Sequence, residues 1–345
     1  MTSNLENEIL EQPAAMQQLI ENEFGHIKSL SAQLAGKFQY ILIAARGTSD
    51  NAARYAQYLF QIVNKIPVML ATPSVFSLYK QTPNLEGALV IAISQSGQSP
   101  DIVSVVTAAH RQSRPTIAIT NDPTSPLAKA ADHTIQLSAG IEKAVAATKT
   151  YTTSLGTIAM LSTAFYQDQA MAAAVVNLPT WIQKTLDLNL NAVSRMERYR
   201  FMEYGVVIGR GYNYATAFEI ALKVKELTGV TTVPYSSADF LHGPIATLKS
   251  GYPVISITHS GVMYPDMMDI NKRVKSLGAD LLIISDSQDA RYLGNMALPI
   301  PEEIPEWLSP IVNVLPGQIL GWQIALAKGL NPDEPKGLSK VTETL

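Results

Sequence analysis

Short apolar runs rich in Ile and Val alternate along the chain with longer amphipathic stretches. Most runs end in Gly, Ser, Asn or Asp, a pattern typical of a buried parallel strand that opens into a loop. Three of the runs recur later in the chain at one offset of 164 residues, and the pairs begin at Tyr40 and Tyr204, at Gly87 and Gly251, and at Thr116 and Asp280. The sequence therefore predicts an α/β protein with two tandem copies of one fold, each a doubly wound parallel sheet flanked by helices.

The same pattern predicts where the two copies begin and end. A helical lead-in, broken by Pro13, precedes the first copy, and a stretch of helical pattern without Gly connects the copies. The predicted segments are the lead-in (1–31), the first copy (32–166), the connector (167–199), the second copy (200–330) and a C-terminal loop and tail (331–345).

Composition narrows the classes of function. The 345 residues are 47% hydrophobic, which is ample for two cores of about 150 residues each. A net charge of −3 without a long basic run argues against a nucleic-acid partner. The absence of cysteine excludes disulfides, thiolate metal sites and a cysteine nucleophile.

We expect neither a metal nor another cofactor, because His26, His110, His133 and His259 lack ligand spacing. The N-terminus has no apolar signal core, and no run reaches the roughly 18 apolar residues of a membrane span. We therefore expect no membrane partner and a cytoplasmic protein.

Hydroxyl and amide side chains follow the apolar run at 88–93. The sequence SQSGQS at 94–99 brings Ser94, Gln95, Ser96 and Ser99 to the start of an amphipathic stretch. Backbone N–H groups and the dipole at a helix N-terminus favour an anion, although a serine there can simply cap the helix. The second copy reads THSGVMY at 258–264, with fewer hydroxyls. The sequence predicts one phosphate site per chain, in the first copy.

A second hydroxyl-bearing turn, with Thr48 and Ser49, follows the first repeated run. Ligands of doubly wound sheets bind at the carboxyl ends of the strands, so this turn and the 94–99 loop should face one cavity. A helix cap by Thr48 or Ser49 is the structural alternative.

Charged side chains with possible chemistry lie in the second copy. Lys223 and Glu226 are i, i+3 neighbours on a predicted helix, where a solvated Glu–Lys surface pair is the usual interpretation. His242 precedes a rigid Gly-Pro turn and could be an ordinary structural histidine. Spacing alone leaves both alternatives open.

Seven strings, in order along the whole chain, resemble the SIS (sugar isomerase) family. The resemblance is strongest to the isomerase half of glucosamine-6-phosphate synthase and to its glutaminase-free relatives, and it implies two tandem SIS units. The strings are EILEQP (8–13), GTS (47–49), SQSGQS (94–99), EKAVAATK (142–149), EIALKVKE (219–226), HGP (242–244) and LSKVT (338–342).

The resemblance implies binding roles. Val145 and Ala147 fall where the family lines its sugar pocket, and the synthase has a serine at the position of Ala147, so one substrate hydroxyl contact is expected to be missing. The residues that match the phosphate cradle are Ser94, Gln95, Ser96 and Ser99. Thr48 and Ser49 match positions beside it.

The resemblance also implies catalytic roles. Glu226 matches the base that moves a proton between C1 and C2, and Lys223 and His242 match residues linked to ring opening. The family commonly supplies this histidine from the neighbouring protomer, so we expect a homodimer with a site shared between chains. Lys340, in a tail that closes over the site, matches the lysine that can engage the open-chain carbonyl.

The synthase hydrolyses glutamine in an N-terminal domain with a cysteine nucleophile, and the sequence contains neither. We therefore expect a SIS-type glucosamine-6-phosphate deaminase, whose substrate is a phosphorylated amino sugar and whose products are fructose 6-phosphate and ammonia. The alternatives are a fructosamine-6-phosphate deglycase, a ketose–aldose phosphosugar isomerase, and a non-catalytic sugar-phosphate sensor. The sequence leaves open the sugar epimer, the amine released, any allosteric effector, the oligomer size beyond a dimer, and whether His242 acts in its own or the neighbouring chain.

Overall fold

The computed structural model describes residues 3–190 and 196–340. The chain divides into two compact units. What we call the first unit contains residues 11–142 and 149–179 and the tail from residue 339, and the second unit contains the residues up to 10, 143–148 and 180–338. Parts of the predicted lead-in (1–2), connector (191–195) and tail (341–345) lie outside the described residues.

Ten strands are found in the described part of the chain: β1 (Tyr40–Ala44), β2 (Val68–Leu70), β3 (Ala88–Ile93), β4 (Thr116–Thr120), β5 (His133–Gln136), β6 (Tyr204–Gly209), β7 (Thr231–Ser236), β8 (Pro253–Ile257), β9 (Asp280–Ser285) and β10 (Met296–Pro299). The first five belong to the first unit and the others to the second.

The helices in the described residues are α1 (Asn4–Leu10), α2 (Gln12–Leu34), α3 (Thr48–Leu59), α4 (Pro73–Ser77), α5 (Pro100–Arg111), α6 (Pro126–Ala130), α7 (Lys149–Tyr166), α8 (Gln169–Val176), α9 (Leu178–Leu190), α10 (Asn213–Thr228), α11 (Ser237–Leu241), α12 (Tyr264–Ser276), α13 (Gln288–Leu293) and α14 (Ser309–Ala327). A π-helical turn follows α3 (Phe60–Asn64), and short 3₁₀ turns lie at Glu197–Tyr199, Pro244–Thr247 and Glu306–Leu308.

Each unit contains one fully parallel five-stranded sheet. The strand order is β2-β1-β3-β4-β5 in the first unit and β7-β6-β8-β9-β10 in the second, so the two orders are equivalent. All six residues of β3 are buried, as expected of a parallel strand covered on both faces. The predicted fold class is confirmed.

The strand order reverses between β1 and β3, and again between β6 and β8. In open α/β sheets of this order, ligands bind at such a switch point, outside the carboxyl ends of the two strands. The loops after β1 and β3 are the two that the sequence singles out for their hydroxyl groups.

The lead-in is helical, and its break lies near the predicted position. Helix α1 ends at Leu10 and α2 begins at Gln12, with Pro13 in the first turn of α2. Proline is tolerated there because the N–H that it lacks would have no partner inside the helix.

Each unit also contains one helix that is buried along almost its whole length, α7 in the first and α14 in the second. Two buried threonines of α7 bond to carbonyls within the helix itself. Thr153 and Thr157 donate to the carbonyls of Lys149 and Thr153, at 2.9 and 3.0 Å. Such internal bonds let polar side chains occupy a buried helix without leaving unsatisfied groups.

Glycine allows α10 and α14 to pack closely in the second unit. A Cβ atom on Gly317 would lie 2.3 Å from Ile220 Cγ1, and one on Gly321 would lie 3.2 Å from Leu227 Cδ1. Because α10 carries Lys223 and Glu226, these two glycines fix how deeply that helix sits.

None of the helices in residues 3–190 and 196–340 is long and apolar enough to cross a membrane.

We predict that Gly317→Ala destabilises the protein by about 1–3 kcal/mol, the usual range for overpacking a core. The same change at Gly25, on the exposed face of α2 with no atom within 4 Å, should be neutral or stabilising. Urea unfolding measures both. In the double variant Gly317→Ala/Ile220→Ala the loss should be smaller than the sum of the single losses, and strict additivity would contradict close packing as the cause.

Candidate functional site

The 94–99 loop joins β3 to α5 and turns tightly at Gly97. Gly97 has φ of 61°, and a Cβ atom there would lie 2.2 Å from Ser125 Oγ. Within the loop, Ser94 Oγ accepts a hydrogen bond from the Gly97 N–H at 3.2 Å, and Ser96 Oγ accepts one from the Gln98 N–H at 3.3 Å. The Gln95 carbonyl accepts from the Asn121 N–H at 3.0 Å. The loop is therefore held in shape by its own residues and by the loop after β4.

Ser99 is the N-cap residue of α5 by position, but its side chain makes no capping hydrogen bond. Its Oγ atom is buried and has no partner among the residues that the structure describes. A buried hydroxyl without a partner costs about 1–3 kcal/mol. A simple helix cap, the structural alternative for this serine, therefore does not describe it.

Thr48 and Ser49 lie in the first turn of α3, after Gly47 at the N-cap position with φ of 55°. Neither hydroxyl is therefore at the N-cap position itself. This turn is tied to the start of α5, because Arg46 Nη2 lies 2.6 Å from Asp101 Oδ2 and the Asp101 side chain is only 1% exposed. The loops after β1 and β3 thus form one braced edge of the first sheet.

A serine is the third member of this brace between Arg46 and Asp101, and the second unit contains an equivalent brace. The Ser77 hydroxyl donates a hydrogen bond to Asp101. In the second unit, Arg210 Nη1 lies 3.0 Å from Asp266 Oδ1, and the Ser237 hydroxyl donates to Asp266. The sequence analysis did not identify either brace, although both arginines lie in a repeated run.

Lys223 is buried between two carboxylates on α10. Its side chain is 1% exposed, and its Nζ lies 2.5 Å from Glu226 Oε2 and 3.5 Å from Glu219 Oε1. The Glu219 side chain is fully buried, while that of Glu226 is 23% exposed. Burial of an unpaired charge costs several kcal/mol, so the two carboxylates allow the lysine to be there.

This geometry overturns the surface-pair interpretation of Lys223, since the exposed lysine of α10 is Lys225. It also adds Glu219, to which the sequence analysis gave no role. The i, i+4 spacing of Glu219 and Lys223, with the glutamate N-terminal, was a signal that could have identified it. Of the three groups, Glu226 is the one that solvent or a substrate can reach.

His242 follows α11 and is exposed, and its backbone N–H donates to the Asp239 carbonyl at 3.1 Å. Val145 and Ala147 are half-buried in the segment 143–148, which also belongs to the second unit. The buried Glu8 carboxylate holds this segment, because it accepts hydrogen bonds from the N–H groups of Lys143 and Ala144. The sequence analysis quoted the string around Glu8 without assigning this role.

Lys340 is paired with a carboxylate that the sequence analysis also left without a role. Its Nζ lies 2.7 Å from Glu142 Oε2, and the Glu142 side chain is fully buried. Glu142 also accepts from the Thr150 N–H at 3.1 Å and from the Thr150 hydroxyl at 2.8 Å. Glu142 therefore links the start of α7 to the C-terminal tail within the first unit.

The predicted residues thus fall into separate groups. The phosphate-cradle residues share one loop, braced to the turn with Thr48 and Ser49, and Lys340 lies against Glu142 in the same unit. Lys223 and Glu226 are in contact, and Val145, Ala147 and His242 belong to the same unit as they do. Among the described residues, no three His, Asp or Glu side chains are grouped so as to hold a metal ion.

Two comparisons agree with this architecture. The family model described as SIS domain matches residues 37–164 and 206–326. A glutamine–fructose-6-phosphate aminotransferase (isomerizing) from Pyrococcus horikoshii is 32% identical over 96% of this chain and 56% of its own length. The chain spans about half the length of the curated relatives that it matches.

Solved structures share the fold over nearly the whole chain. A candidate phosphosugar isomerase from Silicibacter pomeroyi DSS-3 matches with a TM-score of 0.87 and 30% identity, over 96% of this chain and all of that one. Glucosamine-6-phosphate deaminase from Thermotoga maritima matches with a TM-score of 0.83 and 24% identity, over 99% of this chain and all of that one. At that identity the second match establishes the fold alone.

We predict that Lys223→Met destabilises the protein by about 3–5 kcal/mol, because it leaves the buried Glu219 carboxylate without this cation. Adding Glu219→Gln should recover part of the loss. Lys225→Met, on the exposed side of the same helix, should stay within about 0.5 kcal/mol of the wild type. Urea unfolding at neutral pH compares the three, and a Lys223→Met variant as stable as wild type would contradict the charge account.

Proposed function

The chain belongs to the SIS-domain family, and on this premise we propose that it is a phosphosugar enzyme that converts glucosamine 6-phosphate and water into fructose 6-phosphate and ammonia. The observation that carries the proposal is the arrangement on α10. A buried lysine holds one end of Glu226, and the carboxylate remains partly exposed. A carboxylate positioned in this way can accept and return a proton.

The proposed reaction begins with ring opening, for which His242 and Lys223 are the assigned residues. Glu226 then removes the proton from C2 of the open-chain amino aldose, and the electron pair moves to form an enaminol. Return of the proton to C1 gives a ketose with an imine at C2. Water adds to the imine carbon, ammonia leaves, and fructose 6-phosphate remains. One water is consumed, and no oxidant or reductant is needed.

In this proposal the first unit holds the phosphate. Its loop offers the hydroxyls of Ser94 and Ser96, the buried hydroxyl of Ser99 and the N-terminus of α5. Together with Gln95, Thr48 and Ser49 these groups can bind a phosphate without a lysine. Val145 and Ala147 are assigned to the sugar pocket, and Lys340 to the open-chain carbonyl.

We favour release of ammonia over its use because a glucosamine-6-phosphate deaminase shares the fold over 99% of this chain. Turnover is favoured over a sensor role because a buried ionic cluster generally costs stability relative to apolar packing, and proton transfer is a use that would account for the Glu219–Lys223–Glu226 cluster. Measuring ammonia release from a panel of amino-sugar and fructosamine phosphates separates the deaminase from the deglycase. A ketose–aldose isomerase would interconvert sugar phosphates without any ammonia.

We predict that Glu226→Gln lowers turnover by about 10² or more while substrate still binds, because a positioned general base is lost. Ammonia release and substrate binding by calorimetry are measured side by side. Glu203→Gln, an exposed change on the same unit, is the matched control. Near-normal turnover in Glu226→Gln would contradict the assignment.

We predict that Ser96→Ala weakens binding of the phosphorylated sugar by about 1–2 kcal/mol, because a hydrogen bond to a charged group is lost. Binding of the unphosphorylated sugar should not change. Calorimetry with glucosamine 6-phosphate and with glucosamine tests this. Equal losses for the two ligands would point to a change in the loop itself.

We also propose a homodimer in which His242 serves the partner's site, in keeping with its exposure in a single chain. Mixing His242→Ala and Glu226→Gln chains under subunit exchange should then restore about a quarter of wild-type activity, since half of the dimers are hybrids and each hybrid has one intact site. Unmixed samples are the controls. No recovery after demonstrated exchange, or an active monomer, would exclude the shared site.

A further inference from the structure

Two glutamates occupy equivalent positions in the repeat. Glu142 and Glu306 are separated by 164 residues, the offset that relates the strands. Each lies between the last strand of its sheet and the buried helix that follows, β5 and α7 in the first unit, β10 and α14 in the second. The two carboxylates nevertheless make different contacts.

In the second unit the carboxylate of Glu306 lies on the loop that corresponds to the 94–99 loop. Its oxygens accept hydrogen bonds from the N–H groups of Val262 at 3.0 Å and Met263 at 3.3 Å. These residues immediately precede the 13-residue helix α12. A Cβ atom on Gly261 would lie 2.4 Å from Glu306 Cδ, so the loop backbone approaches the carboxylate closely.

In the first unit Glu142 binds Thr150 and Lys340 instead. The Gly97 and Gln98 N–H groups of the loop there are bonded to serine hydroxyls of the loop itself. A serine hydroxyl can rotate to donate to an incoming anion, whereas a carboxylate already carries the charge that an anion would bring.

We propose that Glu306 is an internal ligand of a second anion site, formed by residues 258–264, and that its carboxylate keeps a phosphate-class anion out of this site. Backbone N–H groups at a helix N-terminus bind carboxylate and phosphate oxygens alike. A dianion entering beside Glu306 would meet like charge and would have to displace it. This explains physically why one phosphate site per chain is expected from a duplicated fold.

Glu306 also acts on the hydroxyl of a neighbouring tyrosine. Tyr212 is 8% exposed, and burial, followed by the negative charge of Glu306, raises the pKa of its hydroxyl to about 12. The other buried ionisable groups of the region are His259 and Asp286. His259 Nε2 lies 2.9 Å from the Ile304 carbonyl, and the Asp286 carboxylate accepts from the Ser260 N–H at 2.9 Å.

The experiment counts bound inorganic phosphate per chain by calorimetry on the full chain. Glu306→Ala should bind one phosphate more than the wild type. Glu302→Ala, an exposed glutamate four residues earlier, makes the same change in net charge and should bind the wild-type number. The result is a difference between variants, so it does not depend on which sugar the enzyme uses. A folded Glu306→Ala protein with the wild-type number would overturn the proposal.

A second variant covers the case in which Glu306→Ala does not fold. Glu306→Gln keeps the size and one acceptor oxygen but removes the charge. Saturating phosphate should raise its Tm by about 2–4 °C more than it raises that of the wild type. The fluorescence of Trp307, next in the chain, should change during the titration of this variant only. An equal rise in Tm for both proteins would show that Glu306 is an ordinary helix cap.

Discussion

Helices that follow parallel strands present backbone N–H groups at the switch point of the sheet, and these groups need an acceptor. This chain meets that requirement twice. In the second unit a glutamate of the same chain supplies the acceptor. In the first unit serines line the loop, and the buried hydroxyl of Ser99 has no partner among the described residues. In our proposal the duplicated fold is therefore closed to an anion at one switch point and open to one at the other.

The second unit depends on a different interaction, a cluster of buried charges on one helix. Lys223 is buried only because Glu219 and Glu226 compensate its charge, and α10 reaches this depth only because Gly317 leaves room for Ile220. Packing and electrostatics thus act on one helix, and together they leave Glu226 as the accessible member of the cluster. Anion binding and proton transfer are assigned to different copies, as expected when copies of one fold diverge in their loops.

The strands could be predicted from sequence because runs of Ile and Val repeat at one offset and end in turn residues. The serine loop could also be identified, since its polar residues are contiguous. The i, i+4 spacing of Glu219 and Lys223 could have indicated their contact. The roles of Glu142 and Glu306 could not be predicted, because a carboxylate in a loop shows its partner only when the chain is folded. Burial of Lys223 was hidden for a similar reason: exposed Lys225 lies two positions away, and both fit the helical pattern.

A co-crystal structure of the Glu226→Gln variant with glucosamine 6-phosphate would test the central claim most directly. The account predicts one phosphoryl group per chain, within hydrogen-bonding distance of Ser94, Ser96 and Ser99, with the Glu306 carboxylate still bonded to Val262 and Met263. A phosphoryl group on the 258–264 loop, or one away from both loops, would contradict it.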